Sequence, residues 1–228
     1  MGRQRPVVAI DGPTAAGKST VARGVARRLG LRYVDTGAMY RAVALAAIRR
    51  GIDPADGGAL DALVGSVMVR FESGPSGDRV YLDGEDVTAA IRAPEVSAAA
   101  SVVSAVPRVR AAMVAQQRAL AASGGVVMEG RDIGTVVLPD AEVKVFLDAT
   151  LEARAKRRHD ELRARGVEID IEEIRRQEAE RDRRDQTRAL SPLRPAADAV
   201  ILDTTAMTVD EVIDAVMRLV RERTGGDR

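Results

Sequence analysis

The apolar run Val7–Ile10 leads through Asp11 into Gly12-Pro13-Thr14-Ala15-Ala16-Gly17-Lys18-Ser19-Thr20, and a helical pattern begins at Lys18. A glycine, four residues and then Gly-Lys-Ser, set between a strand and a helix, is the pattern of a phosphate-binding loop. Gly12 and Gly17 let the backbone bend so that successive amides face phosphate oxygens. The helix N-terminus adds partial positive charge, Lys18 reaches the terminal phosphates, and the Ser19 hydroxyl can ligate magnesium. Lysine occurs elsewhere only as Lys144 and Lys156, arginine supplying the rest of the 35 basic residues, so Lys18 is no by-product of a lysine-rich chain. Gly12, Pro13, Thr14, Ala15, Ala16, Gly17, Lys18, Ser19 and Thr20 therefore read as a site for a nucleoside triphosphate. What is done with that nucleotide is a separate question.

Downstream, compact β-branched runs alternate with longer amphipathic segments. Val7–Ile10, Leu31–Val34, Val126–Met128, Val143–Leu147 and Ala199–Leu202 read as buried strands, each bounded by Gly, Pro or Asp. Lys18–Leu29, Ala38–Arg50, Arg108–Ala122 and Val209–Arg223 read as helices between them. Such alternation requires crossovers, hence an α/β fold with a mostly parallel sheet covered on both faces. Residues 65–93 break the rhythm. Val67–Phe71 and Arg79–Leu82 flank a Gly74-Pro75-Ser76-Gly77 turn, and Asp83-Gly84 punctuates again, so this stretch reads as a small antiparallel insert. Residues 152–188 are charged, strandless and rich in arginine, as expected of a mobile lid and the helix after it. The remaining segments, 1–64, 94–151 and 189–228, make up the core.

Composition removes several classes. Aromatic residues are 2% of the 228, which leaves no platform for stacking single-stranded bases, and the net charge of +1 is too small for bulk binding of a nucleic acid polymer. There is no cysteine, hence no thiol nucleophile and no zinc–thiolate site, and His159 is the sole histidine. Val7–Ile10 is too short for the core of a signal peptide and no stretch could span a bilayer. These features lead us to expect a cytoplasmic monomer without a membrane partner.

The loop is compatible with more than one activity. A regulatory GTPase would carry a guanine-reading Asn-Lys-x-Asp, which is absent. A nucleotide-gated ATPase module needs an acid at a strand end, and Val126–Glu129 could supply it. A small-molecule kinase needs cations to clamp the transferring phosphate. Arg181, Asp185 and Arg188 share one helical face, and Arg154, Arg157 and Arg158 form a second patch. The two patches favour the kinase, with the acceptor and the ATPase alternative still open; His159 beside them reads as a surface residue.

Longer stretches bear on the acceptor. Ile10-Asp11-Gly12-Pro13, Asp35-Thr36-Gly37-Ala38-Met39-Tyr40-Arg41, Gly130-Arg131-Asp132-Ile133-Gly134-Thr135-Val136-Val137, Glu180–Asp185 and Pro195–Ala199 resemble the bacterial cytidylate kinase family, and the likeness runs from about residue 7 to 220. The resemblance implies a five-stranded parallel core, an enlarged monophosphate-binding region, and transfer of the ATP γ-phosphate to CMP and dCMP with Mg2+. It also implies roles for individual residues. Thr36, Arg41 and Arg131 would hold the acceptor phosphate, with Arg181 and Arg188 closing on it. Ser101, Arg110 and Asp132 would read cytosine, Asp185 would contact the ribose, and Arg157 and Arg158 would approach ATP. Lys18, Arg131, Arg158 and Arg181, with the metal, would neutralise the in-line transfer. Two positions depart from the usual family pattern: Thr36 where serine is frequent, and Glu129 where aspartate is.

Overall fold

In the computed structural model, which describes residues 5–74 and 77–225, the chain begins with β1 (Val7–Asp11), α1 (Lys18–Leu29), β2 (Arg32–Asp35), α2 (Thr36–Arg49) and α3 (Gly57–Val64). Next come β3 (Val69–Gly74), β4 (Gly77–Leu82), β5 (Glu85–Asp86), α4 (Pro94–Val103) and α5 (Pro107–Ala121). The remainder is β6 (Val126–Gly130), β7 (Val143–Asp148), α6 (Leu151–Ala164), α7 (Ile171–Thr187), β8 (Val200–Asp203) and α8 (Val209–Thr224). A short 3-10 turn precedes α4, and one π-helical turn, Ile133–Val137, follows β6.

Five strands form a sheet in the order β2-β6-β1-β7-β8, with β1 parallel to both β6 and β7, and β7 parallel to β8. Strand β1, at the centre, is buried along its whole length, which is why it reads as an unbroken apolar run instead of an alternating one. The helices start and stop where local chemistry dictates. Helix α1 ends at Gly30, whose left-handed backbone (φ 62°) lets its N–H return to the Ala26 and Arg27 carbonyls. A capping box between Thr208 and Glu211 opens α8, and Pro94 and Pro107 sit in the first turns of α4 and α5, where no intrahelical donor is lost.

The chain divides into two compact units, one reaching Tyr33 and resuming at Gly124, the other Val34–Ser123. In the first, Val8, Ile10, Val127, Val145 and Leu147 of the sheet pack with Val25 of α1 and Val216 of α8. In the second, Met39 and Val43 of α2 pack with Leu60, Ile91, Val103 and Met113. The second unit also holds the three-stranded antiparallel sheet, β3-β4-β5. No single helix among the described residues is long and apolar enough to cross a membrane.

Several elements differ in extent from the sequence reading. The insert's first strand begins at Val69, not Val67, because the Met68 N–H donates to the Asp83 carboxylate and its carbonyl accepts from the Asp83 N–H. Strand β5 escaped notice because it is two exposed acidic residues after an Asp83-Gly84 turn, both at positive φ (52° and 90°). Helix α2 begins at Thr36, before the expected Ala38, since the Asp35 carboxylate caps the Ala38 N–H. Pro75 and Ser76, the centre of the expected turn, lie outside the described residues.

Gly12 leaves β1 at φ +148°, and a Cβ there would lie 2.1 Å from the Leu147 carbonyl oxygen of β7. Gly12→Ala is expected to cost about 2–3 kcal/mol of stability, from overpacking against backbone. Gly51→Ala, at φ +65° with nothing within 4 Å, should cost only about 1 kcal/mol of left-handed strain. Urea unfolding of both variants beside the wild type tests the order; equal midpoints would contradict it.

Candidate active site

In a parallel sheet the carboxyl ends of the strands all open on one edge, and the chemistry-bearing residues of the first unit gather there. The phosphate-loop candidate leaves β1, Arg131 leaves β6, and Thr204 follows β8. Lys18 is buried and donates from Nζ to the Pro13 carbonyl at 2.6 Å. Burial, then the charge of Arg131, brings its pKa down to about 7; Arg181 adds to this, while Glu129 and Asp11 oppose it. The cations assigned to phosphate in the sequence are thus close enough to feel one another. Ala15 adopts a left-handed φ of 58°, a strained backbone within the loop. Ser19 and Thr20 lie exposed in the first turn of α1.

Arg131 is the hub. Its Nε donates to Asp185 Oδ2 at 3.0 Å, and its Nη2 donates to the Thr14 hydroxyl. Burial works against its charge, but Asp185 raises its pKa above the ordinary value. Burial likewise pushes Asp185 up, and Arg131, Arg181 and Arg188 more than reverse it. Arg188 stands 3.9 Å from Asp132 and 4.0 Å from Asp185, so the expected cluster of Arg131, Asp132, Arg181, Asp185 and Arg188 is assembled within one unit. Next to it, Asp11 accepts from the Ile133 and Gly134 N–H groups. Burial lifts its pKa to about 6 despite those two bonds.

The second arginine patch separates into different surroundings. Arg154 is buried, donating to the Ala149 and Thr14 carbonyls and pairing with Asp182 of α7. Arg157 donates to the carbonyl and hydroxyl of Thr204, and that hydroxyl donates in turn to the Asp148 carbonyl at 3.0 Å. Arg158 pairs with Glu161 on its own helix. Arg175, Arg176 and Arg183 make exposed pairs with Glu172, Glu173 and Glu180, the ordinary solvated helix face. Glu129 is buried and accepts from the Tyr33 hydroxyl, while Arg23 covers the Tyr33 ring at 4.9 Å.

Within the second unit, Thr36 is buried at the start of α2, and Arg41 one turn on pairs with Asp35 at 2.8 Å. A Cβ at Gly37 would stand 3.1 Å from both the Arg41 guanidinium and the Asp35 carboxylate, so glycine leaves room for that pair. Arg110 is buried on α5, over the Tyr40 ring at 5.7 Å, and donates to the Ser104 carbonyl. The Ser104 hydroxyl donates to the Ser101 carbonyl, which links Arg110 and Ser101, two of the three residues expected to read a base.

Sequence reasoning assigns no role to Asp11, Tyr33 or Thr204, and reads Asp182 only as an acid that can neutralise neighbouring arginines. Asp11 and Asp182 lie within stretches that carry the family resemblance, whereas Tyr33 and Thr204 reach their partners only through folding. Among the described residues no group of three or more His, Cys, Asp or Glu could hold a metal ion. The Ser19 hydroxyl fits instead an ion that arrives with a phosphate chain.

Residues 8–222 match the family described as cytidylate kinase. A cytidylate kinase from Pelotomaculum thermopropionicum is 56% identical over 216 residues, covering 94% of this chain and 96% of that protein. One from Geobacillus thermodenitrificans is 53% identical, covering 97% of this chain and 99% of that one. The chain belongs to the cytidylate kinase family. A solved gluconokinase from Sinorhizobium meliloti, 15% identical with a TM-score of 0.50 and covering 98% of this chain and 97% of that one, shares the fold alone.

In this member of the cytidylate kinase family, charge pairs differ in weight according to burial. Asp182→Ala would leave the buried Arg154 without its carboxylate and is expected to cost about 3 kcal/mol. Glu172→Ala, from the exposed pair with Arg175, should stay within about 0.5 kcal/mol. Denaturant unfolding of the two variants decides; equal costs would mean that Arg154 draws nothing from Asp182.

Proposed function

We propose that this chain transfers the γ-phosphoryl group of ATP to CMP and dCMP, giving CDP or dCDP and ADP, as a cytoplasmic enzyme. The observation that carries the reading is the cluster of Lys18, Arg131, Arg181 and Arg188 beside the phosphate loop, with Asp132 and Asp185 set among them. Both substrates are anionic, so the task is to align and neutralise rather than to form a covalent intermediate. The acceptor phosphate oxygen is already a nucleophile and needs no general base.

The loop amides from Gly12 to Thr20 and the N-terminus of α1 cradle the donor phosphates. Lys18 reaches the transferring group. Ser19 holds the Mg2+ that accompanies ATP, an ion that offsets phosphate charge when bound. Arg131 and Arg181 neutralise charge in the transfer, with Arg158 joining them from α6. Thr36, Arg41 and Arg131 hold the acceptor phosphate, Arg181 and Arg188 close on it, and Asp185 takes a ribose hydroxyl. Residues 152–188 supply a lid and the arginine-rich helix after it, and the lid excludes water, which would otherwise receive the phosphoryl group.

Base choice follows from donor and acceptor geometry. The Asp132 carboxylate accepts from the cytosine amino group and opposes the carbonyl lone pairs that uracil places there. Arg110 suits the unprotonated ring nitrogen of cytosine, and Ser101 completes the edge. Losing a charge-assisted bond and facing like polarity should cost UMP about 3 kcal/mol, or about 100-fold in kcat/KM.

ADP release measured across CMP, dCMP, UMP, AMP and GMP tests the reading. Fast turnover is expected with CMP and dCMP alone, and a preference for another acceptor would overturn it. Lys18→Met should lower the CMP-dependent rate by about 100-fold or more; a rate near wild type would remove the loop from catalysis. Asp132→Ala should reduce activity on CMP, narrow the CMP-to-UMP ratio and leave ATP affinity unaltered.

A further inference from the structure

Asp11 has no part in the assignments above, yet its side chain is buried and both of its oxygens are engaged. Oδ1 accepts from the Ile133 N–H at 2.8 Å and Oδ2 from the Gly134 N–H at 2.7 Å. Its backbone lies opposite Gly130 in the β1–β6 pairing. The chain is therefore held to one residue on both sides of Arg131 and Asp132: Gly130 through the strand register, residues 133 and 134 through the carboxylate. Those two N–H groups open the π-helical turn and have no acceptor within it, so a carboxylate is the natural partner for both.

The approach is close on the other side as well. A Cβ at Gly134 would stand 3.4 Å from Asp11 Oδ2 and 3.2 Å from Lys144 Cδ, so glycine lets the turn seat against the carboxylate. Lys144 cannot easily give way, because its ammonium is tied to Asp198 at 2.8 Å and to the Pro139 carbonyl. Asp11 also stands directly before Gly12, whose exit from β1 is set by the Leu147 carbonyl. One short stretch of backbone thus determines where the phosphate loop starts and where Arg131 and Asp132 point.

We propose that Asp11 is a positioning residue for selection of the acceptor base: its carboxylate holds the Arg131–Asp132 backbone so that Asp132 faces the cytosine amino group, while Asp11 touches neither nucleotide. The inference rests on the reading of Asp132 as the base-reading group. It assigns Asp11 to the acceptor rather than to ATP, although Asp11 adjoins the ATP loop in sequence.

Asp11→Asn keeps the shape but turns an amide nitrogen toward one of the two N–H donors. It is expected to lower kcat/KM for CMP by about 10- to 100-fold; the lost negative charge near Lys18 affects CMP and UMP alike, whereas misplacement of Asp132 affects CMP alone. Activity on UMP should fall less, so the CMP-to-UMP ratio narrows. Gly134→Ala disturbs the same contact from the opposite side and should narrow the ratio in the same way; it carries the test by itself if Asp11→Asn does not fold. Cooperative unfolding with the wild-type m value identifies a folded variant. In the Asp132→Ala background, Asp11→Asn should leave the ratio where Asp132→Ala has put it, since the two act through one contact. An unchanged ratio in the folded variants would overturn the inference, as would a full further narrowing in the Asp132→Ala background. An unchanged ratio in Asp132→Ala alone would instead overturn the base reading, and the role of Asp11 with it.

Discussion

Arg131 carries its charge where water solvates it poorly, and Asp185 is the group that makes this tenable. A buried guanidinium without a counter-charge costs several kcal/mol, and one paired through good hydrogen bonds does not. Here the carboxylate lies 3.0 Å from Nε, and the Thr14 hydroxyl takes a second donor. The pair also joins three parts of the first unit: the phosphate loop through Thr14, the end of β6 through Arg131, and α7 through Asp185. Arg154 repeats the arrangement a turn away, with the Thr14 carbonyl on one side and Asp182 on the other.

Paired acids of this kind do more than balance charge. Burial, and with it the charges of Arg131 and Arg181, depresses the affinity of Lys18 for its proton, bringing its pKa to about 7. Held together without phosphate, the three cations repel; Asp185, Glu129 and Asp11 offset that repulsion and fix the cations in place. On the proposed reaction the phosphates enter a cluster already arranged, so little reorganisation is left to the transfer step. Tyr33 extends the same logic, since its hydroxyl orients Glu129, whose charge supports both Lys18 and Arg131.

The sheet was legible in the sequence because its buried strands are continuous apolar runs, and the phosphate loop because its residues are contiguous. Arg181 and Asp185 were legible together because they are neighbours on one helix, whereas Arg188, expected on the same face, is an extended residue just past the end of α7 and reaches Asp132 and Asp185 from there. The patch Arg154, Arg157 and Arg158 was not legible, because sequence spacing alone cannot separate a buried strut from a residue on the rim. Only the fold sends Arg154 to Asp182 and Arg157 to Thr204. Asp11 and Gly134 lie 123 positions apart, and no local pattern joins them. Strand β5 was missed on different grounds: it is too short and too polar to carry a period.

On the proposed reaction, the clustered cations act on a phosphoryl group only when a nucleotide acceptor is present. The most direct measurement compares ADP formation from ATP alone with ADP formation in the presence of CMP, with CDP quantified alongside. Slow ADP release is expected without acceptor, and with CMP an acceleration of about 100-fold or more with CDP formed in equal amount. ADP release at the same rate with and without CMP, and no CDP, would contradict the proposed reaction and favour a nucleotide-gated ATPase.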